Sequence, residues 1–155
     1  MKGMAMDLIL WRHAEAEEGF PDESRELTER GIRQAKEAGQ WLQRRLPKDS
    51  RIIASPARRT QQTAQALGMD FETSNAIRPG ASFASVLAES GWPDAKGCVV
   101  VVGHQPTLGQ VAGLLLSGTE SQLSIKKGSI WWFSNRTRRD ENQTILRTVI
   151  SPEFL

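Results

Sequence analysis

Cysteine occurs once in the 155 residues, at Cys98, tyrosine not at all, and histidine only twice. A single cysteine excludes an internal disulfide framework and fits a reducing compartment. Cys98 opens an apolar, β-branched run, so packing is its expected role. No apolar stretch approaches the roughly 20 residues that span a bilayer, and MKGMA at residues 1–5 has neither an apolar segment nor a small-residue cleavage site. The expected location is the cytoplasm, and residues 1–5 read as a disordered lead-in with Met6 as an alternative start. Charge of one sign is also scarce, with 20 Lys and Arg against 18 Asp and Glu. The basic groups RTRRD (136–140), Lys126-Lys127 and Arg44-Arg45 are short and mixed with acids. They read as solvated faces, so neither nucleic acid nor membrane is an expected partner. With no repeat, linker or low-complexity segment, the chain is expected to form one domain over 1–155.

What is present is an alternation of strand and helix signals. Met6 to Trp11 is a short apolar run of the kind buried in an α/β sheet. After a loop over 19–26, Thr28 is placed to cap a helix whose stripe is Ile32, Ala35, Gly39, Leu42 and Leu46, stopped by Pro47. Arg51 to Ala54 reads as a second strand, and Ser55-Pro56 as the start of a helix running to about Leu67. Between 69 and 97 the expectation is a short strand near Phe71, a loop through Pro79-Gly80 and a helix over Ser82 to Glu89. Cys98 to Val102 should be a central strand. The helix opened by Pro106-Thr107 carries Leu108, Val111, Ala112, Leu115 and Leu116 on one face. Strands at Ser129 to Ser134 and Thr144 to Ile150 close the chain. This order predicts a three-layer α/β/α sandwich on a mainly parallel central sheet, the last hairpin adding antiparallel character.

Both histidines, His13 and His104, fall just past the carboxyl end of a predicted strand. That edge is where open α/β sheets bind ligands. Arg12 adjoins one histidine, and an arginine of SPARRTQQTA (55–64) lies between the two. Guanidinium forks match a tetrahedral oxyanion, and the helix start near Pro106 is expected to add backbone donors, so phosphate is the natural ligand. A metal site is the rival reading of paired histidines. It is disfavoured because no HxxxH or HxH spacing is present and surrounding arginines repel a divalent cation. A histidine among arginines tends to stay neutral, leaving a ring lone pair free to attack phosphorus.

WRHAEAE (11–17), SPARRTQQTA and VVVVGHQP (99–106) resemble the three signature segments of the histidine phosphatase superfamily, which has the phosphoglycerate-mutase-like fold. The chain's length and RELTERG at 25–31 are most similar to the SixA-type phosphohistidine phosphatases. The resemblance implies a metal-independent phosphatase without cofactor, with His13 as nucleophile and His104 as second histidine. It implies Arg12 and Arg59 as phosphate ligands with Arg25 as a further pocket member, and it leaves Arg58 on the surface. Thr60 stands where the family pattern has alanine.

A phosphate ester needs a general acid for its alkoxide, yet IRPGASF (77–83), where many members carry one, holds no Asp or Glu. Glu15 and Glu17 are the candidate acids nearest His13; Glu89 and Asp94 read as helix surface and loop. The SixA-like members also lack the mid-chain acid, which makes chemical sense for a phosphohistidine substrate whose imidazole is easily protonated. The expected activity is hydrolysis of a phosphohistidine-bearing protein through phospho-His13. The alternatives are a small-molecule phosphomonoesterase of the same superfamily and a non-catalytic phosphate- or phosphoprotein-binding module.

Overall fold

The computed structural model describes residues 5–155. Ala5 opens the first strand, and the rest of the expected lead-in lies outside the described residues. The elements are β1 (Ala5–Arg12), α1 (Glu29–Gln43), β2 (Arg51–Ala54), α2 (Arg58–Gln65), β3 (Glu72–Thr73), α3 (Phe83–Ser90), β4 (Gly97–Gly103), α4 (Thr107–Ser117), β5 (Ile130–Arg138) and β6 (Glu141–Ile150). They form one sheet in the order β3-β2-β4-β1-β5-β6. The first four strands of that row are parallel, and β5 and β6 are antiparallel to their neighbours.

The apolar run of β1 is explained by its place. Leu8 and Leu10 point into one core with Val99, Val101, Leu108 and Val111, while Ile9 and Trp11 point into another with Val100, Val102, Ala38 and Leu42. A strand with a helix layer on each face cannot alternate apolar with polar residues. Helices α1 and α2 cover one face and α3 and α4 the other, which gives the expected three-layer sandwich. Burying each large side chain of β1 contributes about 1.5–3 kcal/mol.

Several boundaries and faces differ from the sequence expectation. Thr28 does cap α1, accepting from Gly31 N–H at 2.9 Å, but the regular helix ends at Gln43, before Leu46. Ile32 is 53% exposed, and its place on the buried stripe is taken by Gly31. A Cβ at Gly31 would meet the Glu15 carbonyl oxygen, so only glycine lets α1 lie against the segment that follows β1. On α4, Leu116 is likewise outside the core. The second helix begins at Arg58 because Ser55 and Ala57 stay extended, Ser55 N–H pairing with the Val102 carbonyl at 3.1 Å. β5 and β6 run further than expected, meeting at Arg139-Asp140 with φ of 53° and 63°, a two-residue hairpin turn. RTRRD is therefore mostly strand, exposed at the tip and lacking the apolar alternation that would have revealed it. No described helix is long and apolar enough to cross a membrane.

Candidate active site

β1 and β4 are parallel neighbours in register, with Arg12 opposite Gly103. The residues one step further on, His13 and His104, therefore emerge side by side, their ring centroids 5.3 Å apart and tilted by 53°. His13 N–H donates to the Gly103 carbonyl at 3.1 Å, locking the two strand ends together. β2 is the next strand along, and Ser55 at its end reaches the same place: its Oγ lies 2.8 Å from His104 Nε2.

Hydrogen bonds assign the two rings different roles. His13 Nδ1 lies 2.8 Å from the Ala14 carbonyl, which can only accept, so Nδ1 carries the proton and Nε2 keeps a lone pair. Ser55 Oγ accepts from Ala57 N–H at 3.3 Å. If Ser55 gives its own proton to His104 Nε2, the His104 ring proton sits on Nδ1. That Nδ1 is buried and has no partner among the described residues. Thr60 contributes here: its hydroxyl donates to the carbonyls of Ser55 (2.9 Å) and Ala57 (2.8 Å), fixing the turn that presents Ser55.

The charges of Arg12 and Arg59 both act on His13 and His104. Arg12 Nη1 donates to the Ile125 carbonyl at 2.7 Å, while Arg59 Nη1 and Nη2 donate to the Asp22 carbonyl (2.8 Å) and Oδ2 (3.0 Å). In both, Nε is buried without a partner among the described residues. Burial, then Arg59, pulls Arg12 below the usual arginine range. Burial is also the main reason that His13 falls to about 4; its Ala14 bond opposes this, and Arg59, Arg12 and Arg25 add to it. His104 falls to about 3 through burial, then His13 and Arg59, with Asp22 opposing. Both rings are neutral near pH 7.

Arg25 approaches from the 19–26 loop, its Nε donating to the Glu17 carbonyl at 2.7 Å and its Nη1 to Asp22 Oδ1 at 2.9 Å. Asp22 thus bridges Arg25 and Arg59, and the Arg25 bond is the first reason that its carboxyl is held below the ordinary range. Neither Glu15 nor Glu17 reaches the histidines by hydrogen bonding. Glu15 Oε2 accepts from the Thr28 hydroxyl at 2.8 Å, and Glu17 is exposed, its backbone pairing with Glu26. Glu89 pairs with Arg51, and Arg58 with Glu26 on the surface. The start of α4 offers less than expected, because Leu108 N–H returns to the His104 carbonyl (2.9 Å) and Gly109 N–H to Gln105 Oε1 (2.7 Å). Among the described residues no three His, Cys, Asp or Glu side chains are grouped to hold a metal ion.

Sequence reasoning missed Ser55, read as a helix cap, and Asp22, read as loop. The i, i+3 spacing of Asp22 and Arg25 was the available signal for the second; nothing short of the strand order signals the first.

Residues 8–82 match the Histidine phosphatase superfamily (branch 1), a span that includes Arg12, His13 and Arg59. An uncharacterized protein of Mycobacterium tuberculosis is 36% identical over 119 residues, covering 73% of this chain and 75% of that protein. The chain belongs to the histidine phosphatase superfamily. An uncharacterized protein of Picosynechococcus is 32% identical over 167 residues, 97% of this chain and 99% of its own. Among solved structures, a candidate phosphohistidine phosphatase SixA from Nakamurella multipartitia superposes with a TM-score of 0.77 at 28% identity, covering 98% of this chain and 99% of that one. This member of the superfamily is a phosphatase with a SixA-like, phosphoglycerate-mutase-like fold. Its second histidine, His104, lies beyond the matched span and joins the others through the β1–β4 register.

Proposed function

We propose that the protein is a cytoplasmic, metal-independent phosphohistidine phosphatase of one domain that acts on a phosphohistidine-bearing protein through a covalent intermediate on His13. One observation carries this reading. The buried donors Arg12 Nε and Arg59 Nε and the buried His104 Nδ1 lack partners among the described residues, beside a histidine whose Nε2 lone pair is free. An unmade hydrogen bond at a buried group costs about 1–3 kcal/mol. A phosphoryl group held by these donors would remove that cost and set phosphorus before His13.

His13 Nε2 attacks phosphorus, the new P–N bond forming as the substrate's P–N bond breaks. The leaving imidazole takes the electron pair and departs neutral if its other nitrogen carries a proton. Water then attacks the phosphoryl group, the bond to Nε2 breaks, and inorganic phosphate and neutral His13 result. Arg12, Arg59 and His104 stabilise charge on the oxygens in both steps. Glu15 is engaged by Thr28, Glu17 is exposed and Asp22 is bound by Arg25 and Arg59, so none of these three carboxyl groups is placed to protonate an alkoxide. That favours phosphoramidate over ester substrates, in line with the description of the Nakamurella protein as a phosphohistidine phosphatase.

The test is turnover of a chemically phosphorylated histidine peptide beside p-nitrophenyl phosphate and a sugar phosphate, with and without chelator. A kcat/KM advantage of about tenfold or more for the histidine substrate, unaffected by chelator, is expected. Equal or better turnover of the esters would indicate a small-molecule phosphomonoesterase instead.

Two further outcomes follow, one from the burial of His13 and one from the Ser55 bond to His104. Followed by NMR, the His13 ring should titrate near 4. Turnover should therefore hold as the pH falls through the ordinary histidine range of about 6.5 and drop only as Nε2 becomes protonated. A midpoint near 6.5 would exclude the buried, arginine-flanked environment. Ser55→Ala should lower kcat about tenfold at little change in KM, the size of one hydrogen bond. The His104 nitrogen shifts should move towards the Nε2–H tautomer; unchanged shifts would mean that Ser55 does not set the ring.

A further inference from the structure

An open cleft of about 600 Å³ adjoins the site, and Arg12 lines it. One wall is the outward face of α1, bearing Arg30 and Arg33; the other is the 126–128 loop, bearing Lys126 and Lys127. That loop is fastened to the proposed phosphate-binding residues. Gly128 N–H donates to the carbonyls of Arg12 (3.1 Å) and His13 (3.0 Å), and Arg12 Nη1 donates to the Ile125 carbonyl at 2.7 Å. The cleft and the phosphate pocket therefore share one arginine and one stretch of backbone.

The charge in the cleft is not balanced from within. Of the lining acids, Glu153 pairs with Lys126 at 2.9 Å, Glu15 is engaged by the Thr28 hydroxyl, and Glu37 makes no ion pair among the described residues. Arg30, Arg33 and Lys127 also make none there. Three unpaired cations and Arg12, spread over two walls of an open trough, suit an extended acidic segment better than one small carboxylate. Five cations against three carboxylates leave the lining with an excess of positive charge, and such an excess beside a reaction site steers a partner of opposite sign.

We infer that this cleft recognises acidic residues flanking the phosphohistidine of a polypeptide substrate, so that protein targets are selected by glutamate or aspartate beside the modified histidine. The inference rests on the proposed activity towards phosphohistidine, and its test has one arm that does not depend on turnover.

Fluorescently labelled peptides carrying a central histidine flanked by glutamates, or by serines, are titrated with the intact protein without phosphorylation. The glutamate peptide should bind about tenfold more tightly at low salt, and the advantage should shrink as ionic strength rises. It should vanish in the double variant Arg33→Glu, Lys127→Glu, whose thermal unfolding should match wild type because both side chains are exposed. In the second arm the same peptides are phosphorylated on histidine. The glutamate peptide should lead in kcat/KM for wild type only, while p-nitrophenyl phosphate and 3-phosphoglycerate are hydrolysed equally by both proteins. No binding preference in wild type, or one that survives the double reversal, overturns the inference. An equal loss towards 3-phosphoglycerate would also overturn it, assigning the cleft to a small acid. Salt-dependent binding without turnover of any phosphohistidine peptide would leave the cleft assignment standing and sink the proposed activity.

Discussion

His13→Ala is expected to abolish turnover, by about 10⁴-fold or more, because the variant lacks the atom to which phosphorus would bond. Such a loss is informative only in a folded protein, and the structure indicates that this one folds. The ring contributes one hydrogen bond, to the Ala14 carbonyl, whose removal costs about 1 kcal/mol. β1 remains held by Leu8, Ile9, Leu10 and Trp11 in the two cores. Thermal unfolding of the variant should therefore lie close to wild type. Brief reaction of wild type with substrate followed by alkaline quenching should trap a phosphoryl group that acid releases, and the variant should trap none. Retained turnover in His13→Ala would refute the covalent route. A folded wild type that binds phosphate but never acquires a phosphoryl group would revive the non-catalytic binding module.

The second large effect is expected at Arg59. Its side chain is buried; Nη1 and Nη2 hold Asp22, while Nε has no partner among the described residues. Arg59→Ala removes one donor from the phosphoryl group, which in comparable oxyanion sites costs about 10²–10³ in kcat. It also unfastens the loop that carries Asp22 and Arg25, so KM should rise with the fall in kcat. Arg59→Lys keeps the charge but cannot fork between Asp22 and a phosphoryl oxygen, and is expected to recover little. Asp22→Asn separates the two effects: it loosens the loop contacts yet leaves Arg59 Nε in place, so KM should change more than kcat. If Arg59→Lys were as active as wild type, the oriented Nε–H would have no part in the reaction.

The two histidines of the proposed site were legible because two signals coincided at each. An apolar run of β1 or β4 stops, and a histidine follows immediately; both facts sit within a few residues of one another. What the chain order does not reveal is lateral placement. That β1 and β4 are neighbours with Arg12 opposite Gly103, and that β2 brings Ser55 to His104, are facts of strand order between segments far apart in the chain. The same limit explains Gly31: helical periodicity finds a stripe but cannot tell that the Glu15 backbone lies one position round, where Ile32 would not fit. Glu15 was singled out for its nearness to His13 along the chain. Its carboxylate turns to the N-cap of α1, whereas Asp22, nine residues from His13 by number, joins the arginines through a fold of the loop.

The two imidazoles hang from adjacent central strands, and their 5.3 Å separation is close to the roughly 4.8 Å at which hydrogen-bonded strands lie. The sheet is the ruler for the proposed reacting groups. Their spacing cannot drift without unzipping the part of the molecule with a packed layer on both sides, so amides of Leu10 and Val101 should be among the slowest to exchange. Loops such as 19–26 and 125–128 are then free to vary in whom they admit, while the gap across which phosphorus would pass stays the same.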